Sequence, residues 1–147
     1  MIVFIDANIP MYAAGKPSPY KDKCRDILAG IVAGSLAAVT DAEVFQEILY
    51  RYYHIRRMEL GRQIFTEFKQ VMDTVLPVQP ADVFLAEEWM KKYPRAKPRD
   101  LLHAAVMQGN AIKEILSADR DFDYMEEVKR IDPLDFNESD DSNGEET

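Results

Sequence analysis

Four carboxylates stand where they could do chemistry: Asp6, Glu47, Asp100 and Asp119. Asp6 closes an apolar run at residues 2–5, and Asp119 follows Ile115 and Leu116 in the segment SADRDFD. Glu47 lies inside DAEVFQEILYRY, and Asp100 leads into LLHAAVM. Each has a plain structural reading as well. Asp6 can cap the helical turn that follows it, and Asp119 can be a turn residue. Glu47 precedes Arg51 by four residues, the spacing of a surface ion pair on a helix. Asp100 falls in a first helical turn, where a negative charge interacts well with the macrodipole. If the four converge on one cleft they repel, and some must hold protons. A divalent cation removes that conflict, and hard oxygen donors suit Mg²⁺ or Mn²⁺, one ion or two. Other chemistries are poorly served. The chain has two histidines, His54 and His103, and one cysteine, Cys24, so zinc finds few ligands. There is no P-loop, no GxGxxG and no GxSxG. Ser35 and Ser117 have no evident histidine partner, and Asn8 stands where an aspartate-nucleophile phosphatase loop needs a second Asp.

The elements that must position these acids follow from local patterning. Residues 2–5 are uniformly apolar, as in a strand buried on both faces. Pro10, Gly15, Pro17 and Pro19 punctuate a turn-rich stretch with about one helical turn. A helix is expected over 20–33, with Cys24, Ile27, Leu28 and Ile31 on one face, and a short strand over 36–39. Thr40 and Glu43 have the spacing of a capping box, and Val44, Ile48, Tyr52 and Ile55 recur behind it at helical period. Further helices are expected over 59–73, 80–93 and from Pro98, a good first helical residue, to about Gly109. Short strands are expected at 75–78, 115–116 and 128–131. Strands alternating with helices predict an α/β/α sandwich with a mainly parallel sheet. In such sheets ligands bind beyond the carboxyl ends of the strands, which is where Asp6 and Asp119 fall.

The whole-chain properties narrow the classes. At 147 residues and 47% hydrophobic, the chain suits one globular domain over 1–136 and excludes a fibre or a disordered polymer. A single cysteine rules out an internal disulfide. The opening MIVFID lacks the basic start of a signal peptide, and the longest uncharged stretch, 27–40, is shorter than a membrane span. A cytoplasmic protein with no membrane association is expected. The net charge is −8, and residues 137–147 hold five acids and no base, so the body carries −8 + 5 = −3. That segment is expected to be a flexible acidic tail, since it lacks any large apolar residue. A body at −3 is no indiscriminate nucleic-acid binder; binding a polyanion needs a local basic patch or a metal over the carboxylates.

FIDANIPMY, DAEVFQEILYRY, RDLLHAAVM and ILSADRDFD resemble, in order and spacing, the four blocks of the PIN domain, and are most similar to VapC-type toxins of toxin–antitoxin pairs. The resemblance covers about residues 2–136. It implies a PIN-like sandwich, a Mg²⁺- or Mn²⁺-dependent endoribonuclease, a homodimer, and a small antitoxin as partner. Residue by residue it makes Asp6, Glu47, Asp100 and Asp119 the metal-holding catalytic acids. Asn8 matches the polar residue that supports the first acid, and Ser117 the hydroxyl before the fourth. Asp121 is a candidate additional acid. Ala7 departs from the threonine of many relatives, which puts one supporting hydroxyl in doubt, and Pro10 replaces an aliphatic residue.

RNA needs further contacts. One basic cluster is Arg51, His54, Arg56, Arg57 and Arg62, interleaved with tyrosines. A second is Lys91, Lys92, Arg95, Lys97 and Arg99, of which Lys97 and Arg99 lead into the third block and are the candidate RNA-binding pair. Tyr50, Tyr53, Phe65 and Phe68 exceed what one buried helix face can use, and are expected to serve a dimer or an antitoxin. The same chemistry without an antitoxin would describe a housekeeping PIN nuclease in RNA processing. The same fold without catalysis would describe a binding module.

Overall fold

The computed structural model of the protein describes residues 1–137. The expected acidic tail therefore lies, from Glu138 onward, outside the described residues. Five strands form one all-parallel sheet in the order β3-β2-β1-β4-β5: β1 Val3–Ile5, β2 Ala38–Asp41, β3 Val75–Leu76, β4 Glu114–Leu116 and β5 Lys129–Ile131. Six helices connect them: α1 Asn8–Ala14, α2 Pro19–Ala33, α3 Ala42–His54, α4 Met58–Val71, α5 Pro80–Lys92 and α6 Pro98–Gly109. Successive residues of β1 point to opposite faces, yet all three are fully buried, so helices cover the sheet on both sides. This is the expected α/β/α sandwich.

Local chemistry sets the helix limits. α2, α5 and α6 each begin on a proline, whose missing N–H costs nothing there. α2 ends at Gly34, left-handed at φ 80°, whose N–H returns to the carbonyls of Gly30 and Ile31. α6 is apolar nearly all round and lies deep in the core, with Leu101 and residues 103–107 buried.

Several elements depart from the sequence expectation. The single turn after Asp6 is a seven-residue helix, α1, with Pro10 inside its first turn. The second strand is displaced from 36–39 to Ala38–Asp41 because pairing sets its register: Ala38 lies beside Val3, and Val39 beside Phe4. That displacement removes the capping box. Thr40 remains in the strand and its hydroxyl donates to the Ile5 carbonyl at 2.9 Å, while Asp41 caps α3 by accepting from the Val44 N–H at 2.9 Å. Phe65 and Phe68 do not belong to an exposed surface. Phe68 is buried and Phe65 half-buried, with ring centroids 5.3 and 5.0 Å from Phe45. Tyr50 and Tyr53 remain exposed, at 53% and 70%.

Candidate active site

Strand order reverses between β1 and β4: the chain runs outward through β1, β2 and β3, then crosses to β4 and β5 on the other side. Crevices at such a switch point are where ligands bind in open parallel sheets. Asp6 emerges from β1 there, Asp41 ends β2, and Ser117 and Asp119 follow β4. The first turn of α6 adds Asp100, and α3 adds Glu47.

Asp6 is only 4% exposed and is held on both oxygens. The Ala7 N–H donates to Oδ1 at 2.8 Å; the Ser117 hydroxyl and the Asn8 amide donate to Oδ2 at 2.6 and 3.2 Å. Asn8 also donates to Ser117 Oγ at 3.0 Å and accepts from the Ala118 N–H at 3.1 Å, tying the ends of β1 and β4 together. The support that Ala7 cannot give through a side chain thus comes from its own N–H and from Ser117. Burial raises the Asp6 carboxyl above its ordinary range, against the opposing pull of His103 and these hydrogen bonds.

His103, one turn beyond Asp100 on α6, is fully buried between two carboxylates. Nδ1 lies 2.7 Å from Asp41 Oδ2 and Nε2 lies 3.4 Å from Glu47 Oε1. Burial alone would lower its pKa, but Asp41 and Glu47 raise it well above the ordinary value. An acceptor beside each ring nitrogen favours the imidazolium, which has no lone pair for a metal. In the metal-free protein His103 thereby acts as a counter-charge beside Asp6 and Glu47. Glu47 does not pair with Arg51; its Oε1 takes Arg99 Nε at 2.7 Å. Arg99 is accordingly turned toward Glu47 while staying part-exposed.

The second group is Asp100, Asp119 and Asp121, each offering an oxygen within 4.8 Å of the others. Asp119 begins the short 3₁₀ turn Arg120–Tyr124 and accepts from the Asp121 N–H at 3.0 Å, so the local turn carries Asp121 to the cluster. Asp100 is 5% exposed, and its Oδ2 is buried with no hydrogen-bond partner among the described residues. Burial first, then the charges of Asp6 and Asp119, push its carboxyl up to about 7. A buried oxygen without a donor is costly. Here it faces further carboxylates, an arrangement that a hard divalent cation satisfies and a proton satisfies only in part.

The structure thus brings Asp6, Glu47, Asp100, Asp119 and Asp121 to one crevice, with Asn8 and Ser117 bracing Asp6. Lys97 stands exposed at the entry to α6. Sequence reasoning missed Asp41 and His103. Asp41 was open to the rule that pointed to Asp6, an acid closing an apolar strand; His103 was visible as a lone polar residue on an apolar helix.

A parallel α/β sheet with buried acids at its switch point and an unsatisfied carboxylate among them defines a candidate metal-dependent hydrolytic site. The chain belongs to the PIN domain family, whose sequence model matches residues 3–128. It is 38% identical over 130 residues to Ribonuclease VapC13 of Mycobacterium tuberculosis, covering 88% of this chain and 99% of that protein. It is 30% identical over 118 residues to Ribonuclease VapC23 of the same species, covering 80% and 93%. A similar fold occurs in the crystal structure of VapBC2 from Rickettsia felis bound to a DNA fragment from their promoter, with a TM-score of 0.66 and 15% identity over 89% of this chain and 98% of that one.

Proposed function

We propose that the chain is a metal-dependent endoribonuclease, the toxin of a VapBC-type pair, and that Asp6, Glu47, Asp100 and Asp119 hold one or two Mg²⁺ or Mn²⁺ ions, with Asp121 as a further acid. The observation that carries the metal is the buried Oδ2 of Asp100, which lies among other carboxylates and has no hydrogen-bond partner among the described residues. The ribonuclease activity and the antitoxin partner come from the similarity to the VapC ribonucleases and from the fold shared with VapBC2.

In this reading each residue has a defined task. When bound, a divalent cation acidifies a water and polarises a phosphate oxygen. Asn8 and Ser117 orient the Asp6 carboxylate so that it need not reorganise. His103, held in place by Asp41 and buried beneath Glu47, offsets part of the negative charge of Asp6 and Glu47 while no cation is present. Arg99 fixes Glu47 at the mouth of the crevice. Asp100 and Asp119 supply the charge that makes a cation, and hence a polyanion, welcome in a body at −3.

Incubating a mixed RNA pool with the protein in Mn²⁺ should give internal cleavage, and EDTA should abolish it. Cleavage that persists in EDTA would remove the metal from the mechanism. No cleavage under any metal would leave a binding module. Among the described residues no helix is long and apolar enough to cross a membrane, and we place the protein in the cytoplasm.

A further inference from the structure

We infer that the cavity between α1, the α1–α2 turn and the end of α3 binds a nucleotide of single-stranded RNA flanking the one at the carboxylates, with Arg51, Arg57 and Lys16 on phosphate and Tyr12 under a base. This rests on the ribonuclease reading and names where the strand continues. The cavity measures about 750 Å³, and its lining includes three cations and no acid, in a chain whose net charge is −8. Among the described residues none of the three takes part in an ion pair. In the other basic cluster Arg99 is engaged by Glu47 and Lys92 by Glu126 and Glu127, while Lys91, Arg95 and Lys97 make no ion pair among the described residues but line no shared cavity with an aromatic platform.

The cavity adjoins the proposed active site through Asn8, which lines it while hydrogen-bonding Asp6 and Ser117. The backbone is shaped to present its cations. Arg56 adopts a left-handed φ of 60°, which folds the chain back so that the Arg57 N–H donates to the Tyr52 carbonyl at 2.7 Å, bringing Arg57 into the same lining as Arg51. On the opposite wall Tyr12 is 37% exposed and stacked on Tyr20 at 4.8 Å between centroids, a rigid platform. Ser18, also in the lining, has a buried hydroxyl with no partner among the described residues, although it occupies the N-cap position of α2. Cations tracking a backbone beside an aromatic platform form the recurring arrangement for unpaired nucleic acid.

The full-length protein is titrated in EDTA against a fluorescein-labelled, mixed-sequence single-stranded RNA of about a dozen nucleotides, a length suited to one such groove. Arg51→Gln combined with Arg57→Gln should weaken binding roughly tenfold and lower the log–log salt slope by ~1.4, two phosphate contacts on a single strand. Lys16→Gln, outside any helix, should act in the same direction. Tyr12→Leu should weaken binding ~5- to 150-fold and leave the salt slope unchanged. With Mn²⁺, cleavage of the RNA should fall in all three variants. Variants that bind the RNA as the wild type does overturn the subsite and leave the nuclease reading intact. So does a double variant that keeps RNA binding but loses binding of polyglutamate, which would make the cavity a peptide site. A wild type that binds the RNA in EDTA with this dependence, yet never cleaves it, supports the subsite and sinks the nuclease.

Discussion

Asp100 is the residue on which stability and activity should move in opposite directions. Its carboxyl has an ordinary value of 3.8 and is pushed up to about 7 in the folded, metal-free protein, chiefly by burial. Below pH ~4 both folded and unfolded chains hold the proton and the group has no effect. Between there and about 7 the folded state keeps a proton that the unfolded state releases, so metal-free stability should fall as pH rises, then level off. Burial also raises Asp6, which adds to the same trend. The ionised Asp100 carboxylate is disfavoured by at most ~4 kcal/mol. Asp100→Asn should therefore melt higher than the wild type at pH 8 in EDTA, lose the pH dependence attached to this group, and cleave RNA at least ~100-fold more slowly in Mn²⁺ for want of ligand charge. An Asp100→Asn variant that melts lower and keeps full activity would reduce Asp100 to a helix-dipole residue worth roughly 0.3–1 kcal/mol. The acids were legible in the sequence because each adjoins an apolar run whose direction could be read. The bonds of His103 were not, because its partners Asp41 and Glu47 lie 62 and 56 positions away and on another helix or strand end. Spacing along a chain carries no trace of such a contact.

Elements were legible where local chemistry decides them and misread where pairing or packing does. Pro80 and Pro98 announced two helix starts, but β2 slipped by two residues because its neighbour β1 fixes the register, and with it the cap of α3 passed from Thr40 to Asp41. Phe65 and Phe68 looked surplus on a single helix, yet α3 and α4 pack so closely that both meet Phe45. Two substitutions test this layer. A Cβ at Gly61 would sit 2.5 Å from Tyr52 Cβ, so α4 can approach α3 only with glycine there. Gly→Ala in an exposed helix interior gains ~1 kcal/mol. Gly61→Ala should instead cost ~1–3 kcal/mol from overpacking, read as a lower midpoint in urea, and a gain would refute the close approach. Asp41 both caps α3 and pairs with buried His103. Asp41→Asn keeps a capping oxygen but leaves the buried imidazolium with only the longer, 3.4 Å contact to Glu47. It should cost ~3–5 kcal/mol, well above the ~1 kcal/mol of a lost cap. Adding His103→Gln should recover part of that loss in a double-mutant cycle.

At the scale of the whole molecule, shape and charge argue for what the chain meets. With Phe65 and Phe68 in the core, α3 still exposes Tyr50 and Tyr53, and Tyr50 shares a groove with Val83 and Met90 of α5. We propose this face as the homodimer surface. Light scattering at high micromolar concentration should return twice the 16.9 kDa of one chain, and Tyr53→Asp with Val83→Asp should return one. Charge makes a separate claim, about residues 138–147. These hold five acids and no base, so a chain ending at Asn137 changes from −8 to −3. No proposed ligand lies in that segment, and the family match ends at residue 128, so Mn²⁺-dependent cleavage should survive the deletion. What should change is the encounter with RNA. Two polyanions repel over a Debye length of about 8 Å at physiological salt, and removing five like charges lowers that barrier. The shortened chain should bind RNA more tightly and associate faster, with an advantage that shrinks as salt is raised to 1 M, where the screening length falls to about 3 Å. An advantage that persists at high salt would mean that the segment blocks the site by contact and not by its field. A deletion that abolishes cleavage while the melting temperature holds would make the acidic tail part of the catalytic domain, against the division at residue 136.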